Sequence, residues 1–233
     1  MKKRLALGAL VVLSSLLLLK GEKAVSVRVS QKMPEKVEIS NSKGTYLAKT
    51  SEVEVGKNTN LPEGFYEIRN LAKNESDHIQ ITRDGKNLVD GLELVAEDDI
   101  RYADTNRFLI RLKRGDRIKT SARQLLFSRY DKSAAKLSGG VPAGCYEVGK
   151  DVMIDDSKTM ILNLKNTAHF EGTEDKFWLI SGGQKKTYMT KFVNKNTWNE
   201  EIHIFDQSGK DLGRYLNLKE GDIVISYTSI RIY

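Results

Sequence analysis

The side chains suited to covalent or metal chemistry are few in this 233-residue chain: Cys145, the histidines His78, His169 and His203, and the acidic clusters Glu97-Asp98-Asp99, Asp155-Asp156 and Glu174-Asp175. A thiolate beside an imidazole attacks carbonyls, so Cys145 with His169 or His203 would make a thiol protease or transpeptidase pair, as in sortase-like β-barrels that add an Arg. Cys145 falls in an apolar strand pattern, at the place Phe65 holds in a related stretch, and there a free Cys behaves as a small buried hydrophobe. The histidines are far apart, without an H-E-x-x-H helix or paired-ligand spacing, so no metal is expected. The acidic clusters lack the D-x-[DN]-x-[DN]-G order of a calcium loop. Ser181-Gly182-Gly183-Gln184-Lys185-Lys186-Thr187 has phosphate-loop composition without G-x-x-x-x-G-K-[ST] spacing, and reads as a hairpin turn. No cofactor is expected, and no catalytic residue is assigned.

Binding chemistry has a better candidate. Trp178, Trp198 and Tyr188, with Phe170, Phe177 and Phe192 nearby, are interleaved with Lys185, Lys186, Lys191 and Lys195. Aromatic faces beside basic groups stack on sugars or hold acidic polymers. Trp178, Trp198, Tyr188, Lys185 and Lys186 are therefore the expected ligand-binding residues. The competing expectation is that the tryptophans fill a core, since large aromatics are mostly buried.

The elements that must position these residues read as strands. Short β-branched and aromatic runs recur at Val53 and Val55, Ile79 and Ile81, and residues 65–68, 108–112, 160–164, 177–180, 202–205 and 223–227. Turn dipeptides separate them, among them Asp84-Gly85, Gly139-Gly140, Gly182-Gly183 and Ser208-Gly209. The fold class is all-β. Residues 121–135 fit either a helix, with Ala122, Leu125, Leu126 and Arg129 on one face, or a strand followed by a connector.

Internal repetition organises the rest. Glu54-Val55-Gly56-Lys57-Asn58 returns 93 residues later as Glu147-Val148-Gly149-Lys150-Asp151, and Leu112-Lys113-Arg114-Gly115-Asp116 returns 106 residues later as Leu218-Lys219-Glu220-Gly221-Asp222. Ile79-x-Ile81 resembles Ile202-x-Ile204. The pattern predicts two tandem copies of a small β-sandwich or β-barrel, residues 44–130 and 139–233, joined by a connector at 131–138. The unequal spacing places an insertion near residues 168–199. Pro62-Glu63-Gly64-Phe65-Tyr66 and Pro142-Ala143-Gly144-Cys145-Tyr146 are expected to be turns in which Pro fixes φ and Gly supplies a positive φ.

These motifs resemble the G-x-Y-x-V-G-K-D and P-A-G-x-Y modules found, often in tandem, in exported and cell-surface proteins of Gram-positive bacteria. Val55-Gly56-Lys57-Asn58 and Leu61-Pro62-Glu63-Gly64-Phe65-Tyr66 carry the resemblance in the first copy. In the second, residues 142–151 and Leu216-Asn217-Leu218-Lys219-Glu220-Gly221-Asp222 carry it, while Met153-Ile154-Asp155-Asp156 departs from it. The resemblance implies an extracytoplasmic β-module and no established activity.

The N-terminus agrees in location. Met1-Lys2-Lys3-Arg4 precedes an uncharged apolar run at residues 5–19, the n- and h-regions of an export signal. As a helix that run would be about 22 Å long, against about 30 Å of hydrocarbon core, and the best cleavage motif is Ala24-Val25-Ser26. Residues 1–26 are read as a signal peptide or, uncleaved, a membrane anchor, and residues 27–43 as a linker or edge strand. Residues 1–26 contain five of the 38 basic residues and one of the 31 acidic ones, leaving a net charge of +3 beyond them. That balance gives no footprint for nucleic acid. The expected protein is secreted or tethered at the cell surface and non-enzymatic, with an envelope polymer or an envelope or host protein as partner. The alternatives are an envelope enzyme, either a Cys-dependent transpeptidase or a glycan hydrolase with paired carboxylates, and a subunit of an envelope assembly. The last would present an unpaired edge at residues 25–29 or 226–233.

Overall fold

Alternation of apolar and polar residues sets the strands and the two cores they serve. The structure is a computed structural model that describes residues 38–40, 44–56, 61–72, 76–95, 106–121, 124–130, 139–152, 161–163, 175–193 and 201–232. The leader, residues 1–26, lies outside the described residues.

The strands are β1 (Glu38–Ser40), β2 (Thr45–Ala48), β3 (Glu52–Glu54), β4 (Gly64–Asn70), β5 (Asp77–Arg83), β6 (Lys86–Leu94), β7 (Arg107–Leu112), β8 (Arg117–Thr120) and β9 (Leu125–Arg129). They continue as β10 (Gly139–Val141), β11 (Gly144–Glu147), β12 (Ile161–Asn163), β13 (Asp175–Ser181), β14 (Gln184–Val193), β15 (Glu201–Asp206), β16 (Ile223–Ser226) and β17 (Ile230–Ile232). No helix occurs among the described residues, so the fold is all-β. Leu125 and Phe127 are buried and Leu126 half-buried, the period of two that makes this stretch a strand rather than a helix.

A central sheet of ten strands runs β1-β2-β9-β4-β7-β11-β16-β13-β14-β15. A four-stranded sheet, β3-β8-β5-β6, and a three-stranded sheet, β10-β17-β12, cover parts of it. The covers lie on opposite faces, as the side-chain alternation shows. Tyr66, Ile68, Phe108, Ile110, Cys145 and Ile225 enter a first core with β3, β5, β6 and β8, whereas their neighbours Phe65, Leu109, Tyr146 and Val224 enter a second core with Val141 and Ile230. The middle strands β7, β11 and β16 therefore have apolar residues on both faces and read as unbroken runs such as Phe108-Leu109-Ile110. Covered on one face, β5 alternates instead, with Ile79 and Ile81 inward and Gln80 and Thr82 half-exposed.

Register relates the two parts of the chain. In the four-stranded cover Glu54 faces Arg117, Ile81 faces Ile118 and Ile79 faces Thr120. In the central sheet Glu147 faces Ile223, Leu179 faces Val224 and Phe177 faces Ser226. The order β3-β8-β5-β6 thus matches β11-β16-β13-β14. The hairpins match as well, turning at Asp84-Gly85 (φ 50° and 73°) and Gly182-Gly183 (φ 56° and 77°), the paired positive φ of a two-residue hairpin turn. Ile202-x-Ile204 lies in β15, outboard of these strands and outside the register position of Ile79-x-Ile81. Within residues 168–199 the structure describes the hairpin Asp175–Val193, whose place in the strand order parallels that of Asp77–Leu94. Any half-buried strand carries the I-x-I pattern.

The repeated turns form two latches. Val55 donates its amide to Asp116 O (2.9 Å) and accepts from the Gly115 amide (2.9 Å); Val148 donates to Asp222 O (2.8 Å) and accepts from the Gly221 amide (2.9 Å). In each turn the Asp carboxylate accepts the amide of the Lys three residues earlier, Lys113 at 2.8 Å and Lys219 at 2.9 Å. Gly115 (φ 87°) and Gly221 (φ 86°) sit where an L side chain would be strained.

Gly64 and Gly144 serve a different need than expected, since neither has a positive φ. Each Tyr two residues later folds back so that its hydroxyl donates to the Pro carbonyl, Tyr66 to Pro62 O (2.9 Å) and Tyr146 to Pro142 O (2.6 Å). A Cβ on Gly64 would lie 3.1 Å from the Tyr66 ring; on Gly144 it would lie 2.5 Å from the Tyr146 ring and 2.7 Å from Leu109 O. Close approach of a ring, not backbone conformation, demands glycine here.

Candidate functional site

Strand register decides which of the expected binding residues share a surface. Trp178 faces Thr187 across the hairpin, Met189 faces Phe205, and Lys191 faces His203, so these side chains lie on the side of β13, β14 and β15 opposite the second core. Lys185 belongs to the same side, facing Ile180. Tyr188 and Lys186 alternate to the other side. Tyr188 is 8% exposed and stacks on Phe177 (centroids 5.3 Å apart, 18° between planes), and burial raises its phenol pKa. It is a core residue, while Lys186 is exposed on that opposite side. Trp198 lies outside the described residues. The five expected residues therefore do not form one patch; the structure brings Trp178 and Lys185 together.

That pair is also committed to packing. The Trp178 ring is 4.6 Å from the Tyr227 ring, and Lys185 Nζ is 5.6 Å from the Trp178 centroid. Lys185 Nζ donates to Leu88 O (3.0 Å) and Asn87 O (3.5 Å), and partial burial lowers its pKa. The outer reach of the same face is Thr187, Met189, Lys191, His203 and Phe205, all half-buried, with Lys191 Nζ 5.5 Å from the Phe205 centroid. His203 is held by Asp211 (Nδ1 to Oδ2, 2.8 Å) and Glu201 (Nε2 to Oε2, 3.3 Å); the Asp211 bond is the main cause of its raised pKa. An aromatic and thioether floor edged by a lysine and a histidine can stack against planar or sugar faces and hold acidic groups. Phe205, Met189 and His203 are not singled out by the sequence, and only the strand register places them on the same side of the sheet as Trp178.

The thiol cannot join this chemistry. Cys145 is 4% exposed within the first core, and burial pushes its pKa up to about 12. A reactive cysteine needs the opposite environment, exposed and cationic. Phe65 does not hold the same place: it points into the second core and Cys145 into the first. Of the histidines, His78 is exposed on β5 and His169 lies outside the described residues. Among the described residues no group of three or more His, Cys, Asp and Glu is placed to hold a metal ion.

The strongest electrostatic cluster is a seam between the two parts of the chain. β7 and β11 run parallel, with Leu109 beside Gly144 and Ile110 beside Cys145. Above them Arg83 grips Asp116 with two bonds (Nε to Oδ1, 2.9 Å; Nη2 to Oδ2, 2.7 Å) and also donates to Arg111 O (2.7 Å). Arg111 in turn donates to Asp151 Oδ1 from Nε (2.8 Å) and Nη2 (2.5 Å), and Asp151 Oδ2 accepts the Glu147 amide (2.9 Å). Burial raises the Glu147 pKa, but Lys150 and Lys113 outweigh it and hold the carboxyl below its usual range. Asp116 and Asp151 are 1% exposed, so the network fixes strands rather than offering a surface.

No family model, no curated protein and no solved structure matches this chain.

Proposed function

We propose that this chain is an exported, non-enzymatic protein of the cell envelope or surface, built as two tandem β-modules behind a signal peptide or anchor. Its partner would be an envelope polymer or an envelope or host protein. The matched registers of β3-β8-β5-β6 and β11-β16-β13-β14 support the tandem reading. The observation that carries the binding role is the face of β13–β15 with Trp178, Met189, Phe205, Lys191 and His203 on one side of the sheet. Acidic sugar polymers fit it best, because the Phe205 ring and the Lys191 ammonium lie within 5.5 Å of each other there. The burial of Cys145 counts against a Cys-dependent transpeptidase.

Co-sedimentation with insoluble cell-wall material tests the reading. The double variant Phe205→Ser/Lys191→Glu is expected to lose binding by about tenfold or more, the effect of removing one stacking and one charge contact. Lys186→Glu, on the other side of the hairpin, should bind as the parent does. Equal binding by both variants would remove this face from the proposal. Iodoacetamide labelling tests the enzyme alternative: Cys145 should stay unmodified in the folded protein at pH 8 and react once it is unfolded.

A further inference from the structure

Among the described residues the outer strand of one hairpin carries another strand and that of the other does not. β14 pairs with β15 from Tyr188↔Asp206 to Val193↔Glu201. β6 holds the corresponding place in the four-stranded cover, at the end of the order β3-β8-β5-β6. A bare edge of nine residues would be a template for a further strand.

The β6 edge is instead occupied by side chains. Tyr227 Oη accepts the Asp90 amide (2.9 Å) and donates to Asp90 O (2.6 Å), so one hydroxyl takes both outward groups of that residue. Lys185 Nζ takes Leu88 O at 3.0 Å, and Asn70 Nδ2 donates to Leu94 O at 3.1 Å. The strand is also bulged: Ile79 faces Leu92 and Ile81 faces Val89, leaving an extra residue on β6 beside Gly91 at φ 69°. The β13–β14 ladder has no such break. Bulges and inward-reaching polar groups are means by which edges resist pairing.

We propose that the β6 edge is a latent strand-addition surface whose occupant is an extended strand of a second copy of this chain, held closed by Tyr227 and Lys185. The chain's own design argues for that occupant: the equivalent edge of β14 takes a strand of the same polypeptide. Tyr227 is central because its ring packs against Trp178 (4.6 Å) and Phe108 (6.2 Å), which fixes the hydroxyl over Asp90. Opening requires that the hydroxyl release both backbone groups of Asp90 and that the ammonium release the carbonyls of Leu88 and Asn87.

Tyr227→Phe keeps the ring and removes both bonds to Asp90. Light scattering of the full-length chain across a concentration series should show a monomeric parent and a variant that self-associates at least about tenfold more tightly. Adding Asp90→Pro to that variant removes the outward amide and should return it to the monomer. Lys185→Met provides a second opening that leaves Tyr227 in place, and it is read in the same way should Tyr227→Phe fail to fold. A folded Tyr227→Phe or Lys185→Met protein that remains monomeric throughout overturns the proposal, as does association that persists with Asp90→Pro.

Discussion

The two latches share their backbone and differ in how they are anchored. Both place an Asp carboxylate on a Lys amide and a Val between two backbone bonds. In the first, Asp116 also takes the Arg83 guanidinium; β5 ends in Arg83 opposite Lys86, whereas β13 ends in Ser181 opposite Gln184. Among the described residues Asp222 has no such cation, although it is 5% exposed. The extra pair sits where it serves the seam, because Arg83 also bonds Arg111 O, and Arg111 bonds Asp151 beyond the β7–β11 junction. The difference teaches that short Gly and Asp turns set the repeated geometry, while longer-reaching cations join the two parts.

The largest test of that view is to separate the parts. The first core includes Ala143, Cys145 and Ile225, with Trp178 and Tyr227 packed against it, so residues 44–130 alone would lose one wall of their core and expose β7. A fragment ending after Tyr130 is expected to show no cooperative thermal transition by circular dichroism. A sharp melt close to that of the whole chain would show that the seam merely joins finished modules.

Next in size is the anchoring pair. Asp116→Ala leaves the half-buried Arg83 without its carboxylate and the Lys113 amide without its acceptor, and should cost about 3 kcal/mol, the low end for a broken buried pair. Asp222→Ala loses a charged acceptor for one amide, about 1.5 to 3 kcal/mol. Urea unfolding gives both values, and repeating Asp116→Ala in an Arg83→Met background should bring the two latches level. If the gap persists without Arg83, the guanidinium is not its cause.

The paired glycines sharpen the comparison at the level of packing. Gly144→Ala drives a methyl into the Tyr146 ring and the Leu109 carbonyl, a backbone atom on the parallel neighbour, and should destabilise by about 3 kcal/mol. Gly64→Ala meets one ring edge at 3.1 Å and should cost about 1 kcal/mol. Thermal melts of the two variants would have to be equal for the ring-approach account to fail.

Legibility followed sequence distance. The strands, the turn dipeptides and the Leu-Lys-x-Gly-Asp latches could be read because each is set by a few adjacent residues. Phe177 and Leu179 pair with β16 much as Ile79 and Ile81 pair with β8 but share little with them in residue type, so the likeness of the two hairpins is invisible in sequence. Arg83 to Asp116, Lys185 to Leu88 and Tyr227 to Asp90 lie 33, 97 and 137 residues apart, and no local pattern announces them. On the side of β13–β15 away from the second core, Trp178 and Lys185 stand out by residue type, whereas Phe205 and His203 need the β14–β15 pairing to be placed there. Tyr188 is turned inward by strand alternation, which residue type alone does not reveal.

The smallest expected effect separates the two outer edges by pH. β15 is closed by its own return, in which Ile204 donates to Gly213 O and accepts from the Leu212 amide, both at 2.8 Å, with His203 on Asp211 beside it. The Asp211 bond raises the His203 pKa against the opposing effect of burial. A folded pKa above the unfolded value of about 6.5 gives stability that is complete below that pH and is lost as pH rises through the folded value. Exposure keeps the contribution to a few tenths of a kcal/mol. The Tyr227 hydroxyl that bonds Asp90 on β6 does not titrate there, since burial pushes its pKa up to about 12. Amide protection factors at Ile204 and Leu212 should therefore fall between pH 5.5 and 8.5 while that of Asp90 stays level, and His203→Gln should flatten the change. Parallel loss of protection at both edges would mean that the two closures are not independent, and that the seam rather than His203 sets their strength.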